Sequence, residues 1–169
     1  MNTPHLLMSW DELAALCRDL AIHVARSYQP DVVVGIARVG TLPGALIALI
    51  LRAEFHSVRV PSGDRSMEVR PYLPAPESVA RRRVLLVDEV SHSGAAMRWA
   101  EHALRRLGAA EVRTLVLFAA PGAAPADYAG PEVSAIVLQP WIREVALADR
   151  ELLAPPGPPM RVVPGGRGS

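Results

Sequence analysis

The sequence predicts an α/β fold, a single domain built on one mostly parallel sheet flanked by helices. Short apolar runs such as Asp31-Val32-Val33-Val34-Gly35-Ile36 and Val84-Leu85-Leu86-Val87 have the unbroken β-branched and leucine-rich character of strands covered on both faces. They alternate with segments of helical periodicity, the order that demands a parallel sheet with right-handed crossover helices. A length of 169 residues at 50% hydrophobic content supports one sizeable core and is too short for two.

Each element has its own warrant. Ser9 followed three residues later by Glu12 makes a capping box, and Leu13, Leu16, Cys17, Leu20 and Val24 continue it as a 3.6-residue stripe. A helix over 10–28 follows, ended by Pro30. The strand 31–36 leads through the tight turn Ala37-Arg38-Val39-Gly40 into a helix over 42–52, and a second strand spans 57–60. The apolar stretch 41–51 is broken by a proline and a glycine and is far below the roughly 18 residues of a membrane span, so it reads as a buried helix. From 61 to 80 periodicity is lost among prolines 61, 71, 74 and 76, which predicts a mobile or irregular loop. A third strand over 83–88, a helix over 94–107 closed by Gly108 and a fourth strand over 111–118 come next. Residues 119–131 are an Ala/Pro/Gly-rich connection, and a late strand over 134–138 ends at Gln139-Pro140-Trp141. The domain is expected to fill residues 1–153, leaving 154–169 as a Pro/Gly-rich disordered tail.

Composition narrows the function. A net charge of +1 with 21% charged residues gives no global footprint for nucleic acid or for an anionic membrane. The N-terminus lacks the basic and apolar segments of a secretory signal, and a cytoplasmic protein is expected. Cys17, the one cysteine, sits at helical spacing among leucines as a small buried hydrophobe, so no disulfide framework exists. His5, His23, His56 and His102 have no metal-ligand spacing. Trp99 reads as packed or interfacial, and Arg81-Arg82-Arg83 as a solvated face or the flank of an anionic ligand. All 18 basic residues are arginine. With no lysine, Schiff-base chemistry and a Walker phosphate loop are both excluded.

The chemistry concentrates in Val84-Leu85-Leu86-Val87-Asp88-Glu89-Val90-Ser91-His92-Ser93-Gly94-Ala95-Ala96. An apolar strand delivers two adjacent acids, and small polar residues with a glycine then open a helix. The helix start offers unpaired amides and a positive dipole end for a phosphate, with Ser91 and Ser93 as hydroxyl donors and Gly94 permitting close approach. Asp88 and Glu89, one step back, can accept hydrogen bonds from sugar hydroxyls. A phosphosugar suits both halves.

This stretch resembles the type I phosphoribosyltransferases, whose signature is an apolar strand, two acids, a short loop and Thr-Gly-x-Thr. The resemblance assigns Asp88 and Glu89 to the ribose hydroxyls of phosphoribosyl pyrophosphate (PRPP), and Ser91, Ser93, Gly94, Ala95 and Ala96 to its 5′-phosphate. Gly35-Ile36-Ala37-Arg38-Val39-Gly40 resembles the family's pyrophosphate loop, in which Arg38, Val39 and Gly40 would meet the leaving group. The likeness covers about residues 8–145 and includes Ser9-Trp10-Asp11-Glu12, Asp127-Tyr128 and Gln139-Pro140-Trp141, as in bacterial and archaeal purine enzymes of the xanthine-guanine and hypoxanthine kind. It implies transfer of the phosphoribosyl group to a nitrogenous base, with Mg²⁺ carried by substrate near Asp88 and Glu89, and a homodimer.

Four positions depart from that pattern. His92 stands where purine enzymes carry an aspartate that handles the proton at N7, a role histidine can fill near neutral pH. Ala96 replaces the last hydroxyl of the phosphate loop. Ala120 replaces the lysine that reads the exocyclic oxygen, and Ile136 the aromatic that stacks on the base. Each of these last two changes removes roughly 1–3 kcal/mol of base binding. A non-catalytic PRPP or nucleotide sensor on the same fold is the alternative that these departures raise.

Overall fold

A computed structural model of the chain describes residues 5–61, 71–91 and 93–141. The tail 154–169 and the end of the expected domain lie outside the described residues. Five strands form one sheet: β2 (Val32–Ile36), β3 (Glu54–Val58), β4 (Arg83–Ser91), β5 (Glu111–Ala119) and β6 (Tyr128–Ala129). Their spatial order is β3-β2-β4-β5-β6, with every neighbouring pair parallel. The expected α/β class, a parallel sheet flanked by helices, is what forms.

Side-chain alternation along these strands sorts the helices between the two faces. Val33, Leu85, Val87, Leu115 and Leu117 point to one face and pack with Leu13, Cys17, Leu20 and Val24 of α1 (Trp10–Ala25) and Ile47 and Ala48 of α2 (Thr41–Leu51). Val32, Val34, Ile36, Val84, Leu86 and Val116 point the other way, against Val79 of α3 (Pro76–Val79) and Met97, Ala100 and Leu104 of α4 (Ala95–Arg106). Covered on both sides, β2 is buried along its whole length. The capping box at Ser9 forms as expected, with the Glu12 amide donating to Ser9 Oγ at 3.2 Å and the Ser9 amide donating to Glu12 Oε2 at 2.7 Å. Cys17 is fully buried, and burial pushes its thiol up to about 11, which suits a packing residue.

Several expectations are corrected. The strand 134–138 does not join the main sheet: β7 (Ile136–Leu138) pairs in parallel with β1 (His5–Leu7), so the described residues form two sheets rather than one. β3 begins at Glu54 instead of Ser57, because the amide of Glu54 donates to the Asp31 carbonyl and sets the register. β4 runs on to Ser91, since β5 pairs with it at Val90 and Ser91. Within 61–80, where a loop was expected, Tyr72 bridges Arg59 and α3 forms, while residues 62–70 lie outside the description. The stretch 41–51 is only half buried: Pro43, Gly44, Ile47 and Ala48 face inward, but Leu42, Leu49 and Ile50 are exposed, Leu49 at 76%. No helix of the described residues is long and apolar enough to cross a membrane.

The strand order locates the site. From β2 the chain moves to β3 on one side, then returns across β2 to β4 on the other. The order therefore reverses between β2 and β4, and a crevice opens beyond their carboxyl ends. The turns β2–α2 and β4–α4 both begin there.

Candidate functional site

The pairing of β2 with β4 ends at Gly35 and Val87. From Asp88 onward β4 is held by β5 alone, so its β2-facing side is open to the crevice. Beyond Asp88 lies a cavity of about 150 Å³, lined by Asp88, Val90 and the turn from Ser93 to Met97. Gly94 caps α4 in the left-handed region at φ 70°, a conformation that disfavours side chains. Space also excludes one, because a Cβ there would stand 2.7 Å from the Ala124 Cβ and 2.9 Å from Arg98 Nη1.

The first turn of α4 supplies the donors. Its intrahelical ladder starts at the Arg98 amide, which reaches the Gly94 carbonyl, so the amides of Ala95, Ala96 and Met97 precede it. Ser93 Oγ takes the Ala95 amide at 3.3 Å, which leaves Ala96 and Met97 as the free donors of the turn among the described residues. Arg98, which sequence reasoning passed over, folds back so that Nη1 donates to the Ser93 carbonyl at 2.8 Å. Its guanidinium is thus anchored on the turn that lines the cavity, one helical turn beyond the glycine. The i+4 spacing from Gly94 was the signal available for it.

The two acids have unlike surroundings. Asp88 is largely buried, and burial pushes its carboxyl up to about 6, opposed by the Glu89 amide that donates to Oδ1 at 2.8 Å and assisted by the Glu89 charge. Glu89 is also raised by burial, opposed by the Gln139 side chain, whose Nε2 donates to Glu89 Oε1 at 2.5 Å. Desolvated carboxylates on two consecutive residues of β4 favour a ligand that brings hydroxyl donors and positive charge.

The β2–α2 turn approaches the same place. Gly40 is buried between the strand ends: a Cβ on it would lie 2.7 Å from the Val87 carbonyl oxygen, 2.8 Å from that of Ile36 and 3.1 Å from Asp88 Cα. The turn contains a cis peptide between Ala37 and Arg38. Ala37, Gly40 and Thr41 donate to the carbonyls of Val58, Ile36 and Arg38, so the turn's own hydrogen bonds engage these amides. Arg38 is exposed and has no ion-pair partner among the described residues, and Val39 is half-buried.

Other candidate positions lie elsewhere or outside the description. His92 is outside the described residues, as is the side chain of Ser91. Neither Ala120, half-buried at the end of β5, nor Ile136, 49% exposed in β7, lines the cavity. Asp127 is engaged structurally, its Oδ2 accepting from the amide and hydroxyl of Thr114. The arginines before β4 sit at its amino end, away from the crevice: Arg82 pairs with Glu54, and Arg83 with Asp31 at 2.9 Å. No cluster of three or more His, Cys, Asp or Glu side chains able to hold a metal exists among the described residues.

A parallel sheet whose switch point carries an acidic pair, a helix N-terminus and a glycine-closed turn defines an α/β domain with its candidate site at the carboxyl ends of the strands. Residues 9–148 match the model of the phosphoribosyl transferase domain family, and the chain belongs to that family. Solved structures agree on the fold. A purine phosphoribosyltransferase from Pyrococcus horikoshii aligns with a TM-score of 0.72 at 25% identity, covering 81% of this chain and 93% of that one. A xanthine-guanine-hypoxanthine phosphoribosyltransferase from Helicobacter pylori gives 0.75 at 18% identity over 86% and 99%. A hypothetical protein from Neisseria gonorrhoeae with bound ppGpp gives 0.70 at 21% over 89% and 99%.

Proposed function

We propose that this protein transfers the 5-phosphoribosyl group of PRPP to a nitrogenous base, with a purine as the first choice, and releases pyrophosphate. The observation that carries this reading is the joining of Asp88 to the first turn of α4 across one 150 Å³ cavity, with Glu89 the next residue of β4. The α4 amides and the Arg98 guanidinium suit the 5′-phosphate, and the two carboxylates suit the ribose hydroxyls. Arg38, Val39 and Gly40 would flank the pyrophosphate.

The reaction needs no covalent nucleophile from the protein. Positive charge develops on the ribose ring as the bond to pyrophosphate breaks, and buried carboxylates beside that ring stabilise it. His92 is assigned to the proton on the base. Two carboxylates do not close a metal site of their own, but they fit Mg²⁺, which binds through one or two carboxylates together with substrate phosphates. When bound, that ion would balance the charge of the departing pyrophosphate.

The test is nucleotide formation from labelled PRPP and Mg²⁺ across a panel of purine and pyrimidine bases. Turnover with at least one base is expected. PRPP binding without turnover on any base would instead support a sensor of PRPP or a nucleotide, the reading favoured by Ala120 and Ile136. For that reading ppGpp joins the binding panel. The uncharged outer side of α2, with Leu42, Leu49 and Ile50 exposed, supports a homodimer.

A further inference from the structure

Gln139 is fully buried, yet its carboxamide is only half satisfied. Nε2 donates to Glu89 Oε1 at 2.5 Å, and Oε1 is the one buried side-chain polar atom without a partner among the described residues. An unpaired buried acceptor is costly to keep. An apolar residue of similar volume would fill the space without that cost, so packing alone does not explain a glutamine here.

Its location gives it a reach that packing does not need. Gln139 directly follows β7, whose Leu138 carbonyl accepts from the Met8 amide and whose strand pairs with β1. Its side chain crosses from this small sheet to the carboxyl end of β4 in the main sheet. Among the described residues, this hydrogen bond joins the segment that follows β7 to the acidic pair. The donor is also neutral. An arginine in its place would cancel the charge of Glu89, whereas an amide fixes one carboxylate oxygen and leaves the charge and the second oxygen, Oε2, for a ligand.

We propose that Gln139 is a positioning residue that orients the Glu89 carboxylate for a ribose hydroxyl and thereby couples the β1–β7 sheet to sugar binding. This rests on the phosphoribosyl reading of the site. Gln139 acts on the sugar through Glu89 and does not act on the phosphate, which the α4 turn holds.

The experiment is an NMR titration of the full chain with two probes, ribose 5-phosphate and inorganic phosphate. Four proteins are compared: wild type, Gln139→Met, Glu89→Gln and the double variant. Gln139→Met keeps the volume, and Gln139→Leu serves as a second variant should the first fold poorly, with melting temperature measured for each. Gln139→Met is expected to weaken ribose 5-phosphate about tenfold, the effect of one hydrogen bond to a charged group, and to leave inorganic phosphate unchanged. The double variant should bind ribose 5-phosphate no more weakly than Glu89→Gln alone, because the two residues act as a unit. Unchanged ribose 5-phosphate binding in both Gln139 variants, equal losses for both probes, or losses that add to that of Glu89→Gln would each overturn the proposal. Wild-type protein that binds phosphate but gains nothing from the ribose would overturn the phosphoribosyl reading itself.

Discussion

Replacing Gly40 by alanine isolates the contact that brings the two ligand turns together. The backbone of Gly40 has φ −69°, a conformation alanine adopts freely, so the whole effect is steric. The added Cβ meets the Val87 oxygen of β4 at 2.7 Å and the Ile36 oxygen of β2 at 2.8 Å, where ordinary contact begins at 3.4 Å. Both neighbours are backbone, and neither can rotate away. Relief requires the strand ends to part by several tenths of an ångström or the turn to lift out of the crevice. Overpacking of this kind costs about 1–3 kcal/mol. At roughly 2–4 °C per kcal/mol for a chain of this size, a mid-range cost lowers the melting temperature by about 4–8 °C. Because Asp88 Cα lies on the path of the displacement, PRPP affinity should fall about tenfold to a hundredfold, more than the stability loss explains. Differential scanning calorimetry and isothermal titration with PRPP and Mg²⁺ read the two effects separately. A Gly40→Ala protein that melts and binds PRPP like the wild type would show that the turn tolerates the added methyl and that this contact does not hold the two turns together.

Asp88→Asn should stabilise the protein while weakening PRPP binding. Burial pushes the folded carboxyl up to about 6 from the 3.8 of a free aspartate, so the folded state holds its proton more tightly and stability falls as pH rises between those values. The penalty at neutral pH is at most about 3 kcal/mol. Melting curves should show a gain for Asp88→Asn at pH 7.5 that vanishes below pH 3.8, and equal melting at both would contradict the burial of this acid. Asp31→Asn is the opposite case. Hydrogen bonds from Arg83 hold this carboxyl down at about 2, so its contribution is present above 3.8 and lost as pH falls through 2. Its side chain is 38% exposed, so the loss at neutral pH should not exceed about 1 kcal/mol, and PRPP affinity should not change at this far end of the sheet. Leu49→Glu places a charge on the exposed side of α2, and sedimentation should show a dimer turned into monomers. A wild-type chain that already sediments as a monomer defeats that expectation.

Much of the architecture was legible because it rests on local signals. The runs of Val32–Ile36 and Val84–Val87 are apolar at every position except Gly35, which marks strands covered on both faces, and the Ser9 capping box fixed the start of α1 within a residue. The elements that escaped are short: β1 has three residues, β6 two and α3 four. None has room for a period, and each is created by a distant partner, as β1 is by β7 across about 130 residues of sequence. The buried reading of 41–51 failed because periodicity shows that a helix is apolar without showing how much of it the rest of the chain can cover.

The candidate site divides in the same way. Asp88 and the Ser93–Ala96 turn lie within nine residues of one another, and a strand-to-helix junction has a fixed geometry, so their common cavity could be anticipated from the chain itself. Arg98 and Gln139 reach the site by other routes. Arg98 is a surface arginine on a helix among many, and its fold-back onto Ser93 is a rotamer choice. Gln139 is 50 residues from Glu89, and an uncharged side chain in a Gln-Pro-Trp run gives no electrostatic hint of its partner. The arginines at 81–83 carried the reverse lesson, since their charge suggested a ligand flank but Glu54 and Asp31 neutralise two of them at the amino end of the sheet.

The most direct measurement is a crystal structure of the chain with PRPP and Mg²⁺. The 5′-phosphate is expected on the amides of Ala96 and Met97, the ribose hydroxyls on Asp88 and Glu89, and the pyrophosphate beside Arg38 and Gly40. A phosphate bound away from the α4 turn, or a ribose that leaves both carboxylates untouched, would contradict this placement.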